Sequence, residues 1–520
     1  MSTISTATTA ATAAQTQASA NAALAEAAQS IISGATGNSS MDVNALVTAM
    51  VNAKTAGQSA SLAAAQSNDN TKLSAIGTLS SALSTLQTTM TSLTDGSLMS
   101  TFTTNVTGTG ITASGAAGAV AGSYDVTVSQ IAKAQSLTST GFATDEKLGT
   151  GTMQISVGSK SMSINITSSN NTLSGIAAAI NNASGNPGVS ATIVTGTDGQ
   201  HLVLNSTTTG ASNVISTTIT GAASGSDLNK LGVSSTAGAN GAASTISDDS
   251  VTNGWSQSAT AQDAMYKVGG VAGTSSSNTV TSAIKGVTLN LTAAAVTTPA
   301  STQTVTISQD TSSISSAISN FVSLYNTVVS TINSYTSFNS SASAGSQGGV
   351  LLGNSAVNTI KNQLSAIIGS AVGKGSGSIS LASLGISQVS SLDATAEQPA
   401  GTLTIDSDKL TDALTNNATG VSQLFNAING VGAQLTDKIS SYLSTGGLLT
   451  SETDSINKDL ANISTQQTTL TNYAAQLTSD YNAQFTALNT LMASMNQNTQ
   501  YLTALFGGTN SAGAMATNKS

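Results

Sequence analysis

The strongest constraint on this chain is a periodic apolar seam at each end. Ile456, Leu460, Ile463, Gln467, Leu470, Ala474, Leu477 and Tyr481 step alternately by four and three residues. One extra step of four reaches Phe485, and the alternation resumes through Leu488, Met492, Met495, Thr499, Leu502 and Phe506. This is a heptad pattern, and the extra step is a stutter that locally straightens a supercoil. No Gly or Pro falls between Gly447 and Gly507. The spacing therefore predicts one helix of about 55 residues, where the mean is ~11–12. A helix of that length needs a partner to bury its stripe. Near the other end, Ile76, Leu79, Leu83, Leu86, Met90 and Leu93 repeat the same steps, and Asp95-Gly96 stops them. Leu46, Val47, Met50 and Val51 form a shorter stripe upstream, separated by a polar gap, with Ser39, Ser40 and Asp42 placed to cap it. The two terminal seams are natural partners. The alternative is an ordinary long helix inside one bundle domain.

Between the seams the period changes. Tyr124, Val126 and Val128 alternate as a strand does, followed by Ile131. Met153, Ile155 and Val157, a Gly158-Ser159-Lys160 turn, then Met162, Ile164 and Ile166 predict a hairpin. Leu173, Ile176 and Ile180 take helical spacing, and Val189, Ala191, Ile193, Asp198-Gly199, Leu202 and Leu204 predict a second hairpin. Residues 149–206 thus read β-β-α-β-β. A loose Gly/Ser/Ala/Thr stretch runs on to about residue 254, and strands resume at Met265–Val268, Val280–Leu291 and Thr304–Ile307. Ile314, Ile318, Phe321, Tyr325, Val328, Ile332 and Tyr335, then Val357, Ile360, Leu364 and Ile367, predict an αα-hairpin across a Ser/Gly-rich loop. The three prolines all fall in predicted loops.

These patterns predict a multidomain α+β protein in which N- and C-terminal helices pair as a coiled-coil or helix-bundle stalk, with β-rich domains inserted mid-chain. The expected divisions are a disordered or weakly helical leader at 1–40, whose Ala/Thr/Ser/Gln tract has almost no apolar periodicity, and N-terminal helices at 41–105. One β-rich domain takes 106–148 with 255–309, and a second, inserted one takes 149–254. A helical bundle occupies 310–445, then come the long helix at 446–506 and a disordered tail at 507–520. The candidate interaction residues are Leu46, Met50, Ile76, Leu79, Leu83, Leu86, Met90, Leu93, Ile456, Leu460, Ile463, Leu470, Leu477, Phe485, Leu488, Met492, Met495, Leu502 and Phe506.

Composition removes most chemistry. Charged residues are 7% of the chain, against roughly 25% in an ordinary globular protein. All 14 basic residues are Lys, and the formal net charge is −9. Nucleic-acid binding needs clustered Lys and Arg, and no such cluster exists. Without Cys there are no disulfides or thiolate metal sites, and His201 is the only imidazole. No membrane span is expected, because no apolar run is long enough. No secretory signal peptide of the usual kind is expected, because residues 1–40 have neither Lys nor a long apolar run. Gly369 through Gly375 resembles a phosphate loop but has one residue too few between its glycines and no Ser or Thr after Lys374. Ala344-Gly345-Ser346-Gln347-Gly348 would be a nucleophile elbow only with Gly at 344. His201 begins a strand beside a turn, Asp310 and Asp406 stand where helix caps would, and Trp255 reads as a core or interdomain residue. The expectation is no enzyme, no cofactor and no metal.

The order of the elements resembles the flagellar hook-associated protein 2 family, the filament cap proteins. Met41-Asp42-Val43-Asn44-Ala45-Leu46-Val47 with Met50-Val51 is similar to its N-terminal signature, and Lys72–Leu93 continues the match. Gly122–Val128 with Ile131-Ala132 looks like its first β segment, and residues 149–206, centred on Ile180-Asn181, resemble the hook IN motif. Ala261–Ala264, Gly286–Leu289, Phe321-Val322, Tyr325-Asn326, Leu352–Ser355, Leu384–Ile386, Gly401–Asp406, Leu424-Phe425 and Gln484–Leu488 are similar to its C-terminal segment. There are two departures. Asn52–Gly57 carries Gly where the family has Pro, so a softer bend is expected there, and the 40-residue leader is longer than the family accounts for. The resemblance implies a homo-oligomeric cap of about five copies at the distal tip of the filament. It also implies contacts with flagellin and hook–filament junction proteins, a cytoplasmic export chaperone, and secretion through the flagellar type III apparatus without a cleaved signal peptide. Another flagellar axial protein, or a secreted adhesin or surface-layer protein, is the alternative.

Overall fold

A computed structural model describes residues 3–36, 43–247, 254–342, 347–373, 378–426 and 428–506. The expected cap at Asp42 and the tail at 507–520 lie outside them. The chain forms two compact units, Met1–Asp95 with Ser315–Ser520, and Gly96–Ile314.

The helices are α1 (Thr3–Thr36), α2 (Val43–Thr94), α3 (Leu173–Asn182), α4 (Thr311–Thr336), α5 (Ser355–Ile368), α6 (Ser407–Asn416), α7 (Ala418–Asn426), α8 (Val431–Leu443) and α9 (Leu448–Phe506). In the helical unit, α2 is the element on which α1, α7, α8 and α9 all pack. Its seam from Ile76 to Leu93 is at most 1% exposed at every predicted position. Each such side chain gains about 1.5–3 kcal/mol from leaving water. Gln87 Nε2 donates to the Thr436 carbonyl at 3.3 Å, and Gln467 Nε2 donates to Gln66 Oε1 at 3.1 Å. Rising numbers on α8 and α9 thus meet falling numbers on α2, so the pairing is antiparallel. At the α8 end the backbones come close: a Cβ at Gly432 would stand 2.8 Å from Thr94 Cγ2.

Polar side chains join the remaining helices. Asn326 on α4 clamps Leu403, donating Nδ2 to its carbonyl at 2.8 Å and accepting its N–H at 2.6 Å. Phe321 meets Phe425 edge-on, with ring centroids 6.0 Å apart. Asp310 and Asp406 cap α4 and α6 by accepting the N–H groups of Ser313 (2.9 Å) and Lys409 (3.1 Å). The Ser313 hydroxyl and then its N–H lower the Asp310 pKa, and the Lys409 N–H lowers that of Asp406. α5 packs on α8 and α9, and its link to α4 is Lys361 Nζ on Asn333 Oδ1 at 2.7 Å.

The β unit holds two cores. The first contains Val126, Val128, Leu289, Val305 and Ile307. Its five-stranded sheet runs Phe102–Val106, Thr302–Gln309, Gly122–Gln130, Ala264–Val268, Val271–Ser275, antiparallel throughout. The second contains Met153, Ile155, Ile176, Ile180, Leu202, Leu204 and Trp255. Its sheets run Ser256–Ala259, Ser136–Thr138, Gly199–Ser206, Val189–Gly196 and Lys160–Ile166, Gly151–Val157, Ile215–Thr220. The Ile180-Asn181 pair has a direct physical role. Ile180 is fully buried, while Asn181 imitates a strand, donating Nδ2 to the Ala191 carbonyl (2.7 Å) and accepting the Ala191 N–H (2.9 Å). Thus α3 is bonded to the sheet as well as packed on it.

Several expectations are corrected. Residues 3–36 are helical, not a disordered leader, because Ala is the best helix former and α2 supplies a surface to pack on. The polar gap and the Asn52–Gly57 step do not break α2, since Gly lacks the ring clash that Pro would bring. Helix ends at Thr94, and Phe102–Val106 is already a strand. The loose stretch contains the strand Ile215–Thr220, whose central inward residue is Thr217 rather than an apolar one. Thr217 is buried because its hydroxyl donates to the Leu231 carbonyl and accepts the Val233 N–H. Val280–Leu291 is two strands, Thr279–Ile284 and Val287–Leu291, turned by Gly286 at φ 72°. Leu137, Phe142 and Leu148 pack in the second core, because Ser136–Thr138 pairs with Gly199–Ser206. Short β pairs also occur inside the helical unit, at Ile386–Gln388 with Leu403–Ile405 and Ala371–Val372 with Ile379–Ser380.

Leu83→Ala is expected to cost the helical unit about 2–5 kcal/mol by cavity formation. The far-UV helical signal should unfold earlier in urea, while fluorescence of the single Trp255, in a β core, keeps its midpoint.

Candidate interaction seams

On α2, Leu46, Ile76, Leu79, Leu83, Leu86, Met90 and Leu93 are buried and Met50 is partly so. On α9, Ile456 and Ile463 are buried, while Leu460, Leu470, Leu477 and Phe485 are partly buried. Beyond the stutter the seam is open: Leu488, Met492, Met495, Leu502 and Phe506 are 42–65% exposed. The antiparallel register explains this. Counting back from Gln66 to the start of α2 at Val43 carries α9 forward from Gln467 only to about residue 490. The last four turns of α9 therefore run past the end of α2 with their apolar stripe intact.

One seam escaped the reading of the sequence. Over residues 13–29 of α1 the partly buried side chains are Ala13, Gln17, Ala20, Leu24 and Ala27, again in steps of four and three. Three of the five are Ala, in a tract full of Ala, so the stripe has no contrast to reveal it. The only available signal was the spacing of Gln17 and Leu24.

Among the described residues the remaining candidates are placed as follows. A shallow groove between α2 and α4 is lined by Ser74, Gly77, Thr78, Ser81, Leu324 and Thr327, with no charged group. Gly369 forms the C-cap of α5, and Lys374-Gly375 and Ala344-Gly345-Ser346 lie outside the described residues. Among the described residues no group of three or more His, Asp or Glu is placed to hold a metal, and no helix is long and apolar enough to cross a membrane. His201 joins two structural contacts, Nδ1 donating to the Ser139 carbonyl at 2.8 Å and Nε2 to Asp198 Oδ1 at 2.9 Å. Satisfying both acceptors requires the doubly protonated ring. The Ser139 carbonyl first and the Asp198 hydrogen bond second raise the His201 pKa above its usual value.

Long paired helices, an inserted β unit and an apolar seam that outruns its partner define an assembly-type structural subunit. Comparison with known proteins narrows the class. Residues 261–497 match the family described as flagellar hook-associated protein 2 C-terminus, 39–135 its N-terminus, and 152–208 the flagellin hook IN motif. The flagellar hook-associated protein 2 of Escherichia coli K12 is 34% identical over 85% of this chain and 91% of its own length. The B-type flagellar hook-associated protein 2 of Pseudomonas aeruginosa is 31% identical over 90% and 96%. The crystal structure of the flagellar cap protein FliD D1-D2-D3 domains from Escherichia coli aligns with TM-score 0.57 at 34% identity, covering 74% of this chain and 99% of that one. The chain belongs to the flagellar hook-associated protein 2 family.

The His201 contacts give a pH prediction. The folded pKa is raised, so the contribution to stability is complete below the unfolded value of about 6.5 and disappears as pH rises through the folded value. Urea unfolding followed by Trp255 fluorescence should show this step in the parent and not in His201→Gln.

Proposed function

We propose that this chain caps the flagellar filament. Copies form a ring of about five at the distal tip. The ring promotes folding and insertion of arriving flagellin, prevents its loss, and moves to the next site. No covalent bond is made or broken. The observation that carries this reading is family membership over nearly the whole chain, combined with a terminal seam left open for helices outside it. The open stripe suits the helical termini of flagellin and of hook–filament junction proteins, and before export a chaperone would shield it.

The chemistry of the seam suits a contact that must be made and released. Between Thr486 and Phe506 there is no charged residue. Ion pairs at the seam flanks would fix partner and register, and apolar contacts flanked by Ser, Thr, Asn and Gln fix neither strongly. Export unfolded through the flagellar type III apparatus fits a chain with no Cys to cross-link.

Deleting the gene should give short or absent filaments with flagellin shed into the medium, and restoring it should recover length. Normal filaments without it would contradict the capping role. Met492→Lys with Met495→Lys should fail to restore filament length while the isolated protein keeps its helical content. Full restoration would exclude the end of α9 from the mechanism.

A further inference from the structure

α1 is joined to α2 by an inserted side chain. Gln17 Nε2 donates to the Ala53 carbonyl, and Gln17 Oε1 accepts the Gly57 N–H at 3.0 Å. These two backbone groups lie one turn apart on the continuous helix α2. The one amide contacts both. Glycine makes the joint possible, because a Cβ at position 57 would stand 2.7 Å from Gln17 Oε1. Around this polar key the described stripe of α1 is Ala13, Ala20, Leu24 and Ala27, and its Ala residues fit closely but remove little apolar area from water. The end of α9 has the opposite character: Leu491, Met495, Leu502 and Phe506 are large, and each is more than half exposed.

We propose that α1 is a displaceable strap, and that the α2 face beneath it is the docking site for the exposed end of α9 from a second copy of this chain. Continuity supports the occupant: the open stripe prolongs, after one stutter, the same seam that α2 already accepts from its own α9. Size supports the exchange, since Leu, Met and Phe would replace Ala and bury more area. Charge does not oppose it: Lys54 is the only charged residue from Val43 to Leu62, and the end of α9 has none. While Gln17 is seated the face is occupied within the chain. Once it is unseated the face is free for a second copy.

The test uses the full chain and does not depend on the capping role. Gly57→Ala forces the amide to shift from its seat and raises the helical propensity of α2, so misfolding is not the expected result. Hydrogen exchange across residues 13–29 should speed up about tenfold, and the concentration for half self-association should fall about tenfold by sedimentation. Gln17→Ala, which leaves α2 untouched, should produce both changes. Adding Met495→Lys and Leu502→Lys to Gly57→Ala should return the concentration for half self-association to the parent value while α1 stays released. Unchanged exchange in both single variants overturns the strap. Release without tighter association, or a tightening that survives the two lysines, overturns the docking site.

Discussion

An amphipathic helix of 59 residues cannot bury its stripe on itself. α9 lies antiparallel along α2, and that direction sets the layout of the whole helical unit. It places α8 against the Met90–Thr94 end of α2, with Gly432 allowing close approach. α5 packs on α8 and α9, where Tyr442 of α8 donates to Gln363 at 2.6 Å and burial pushes the tyrosine pKa up to about 12. The antiparallel direction also makes α2 and α9 end at different heights, because α2 starts too late to cover the last turns of α9. The exposed apolar stripe is thus a consequence of register, and α9 has no interruption that would have ended it sooner.

The shortage of charge acts at the same surfaces. Among the described residues the Lys–carboxylate pairs are few and short in sequence span, such as Lys72 with Asp69 and Lys409 with Asp406. Lys409 with Asp406 is exposed, and exposed pairs of that kind contribute little. Helix contacts instead rely on apolar seams, small residues and side-chain amides: Gln467 to Gln66, Gln87 to Thr436, Gln17 across α2 and Asn326 on Leu403. Amides give direction without long-range attraction, and salt will screen very little of this unit's cohesion.

Legibility in the sequence tracked contrast. Leu, Ile and Met against Ser and Thr made the α2 and α9 seams readable to within a residue or two, and Ile155 or Leu204 against polar neighbours did the same for the hairpins. Where contrast was missing, the pattern was silent. The Ala stripe of α1 lies within an Ala-rich tract, and the strand Ile215–Thr220 places Thr217 inward, its polarity satisfied by bonds to residues 231 and 233. The open end of α9 was readable as a seam but not as exposed, because exposure depends on where its partner stops. Asn181 was visible as part of a motif, while its reach to Ala191 depends on the folded turn between them.

The antiparallel register is tested most directly by a cross-link. The chain has no Cys of its own, so Gln66→Cys with Gln467→Cys introduces a single pair. Mild oxidation is expected to close an intrachain disulfide in high yield in the folded monomer, with the helical signal retained. A pair that stays reduced, or that links only between chains, would contradict the register and with it the reason the end of α9 is exposed.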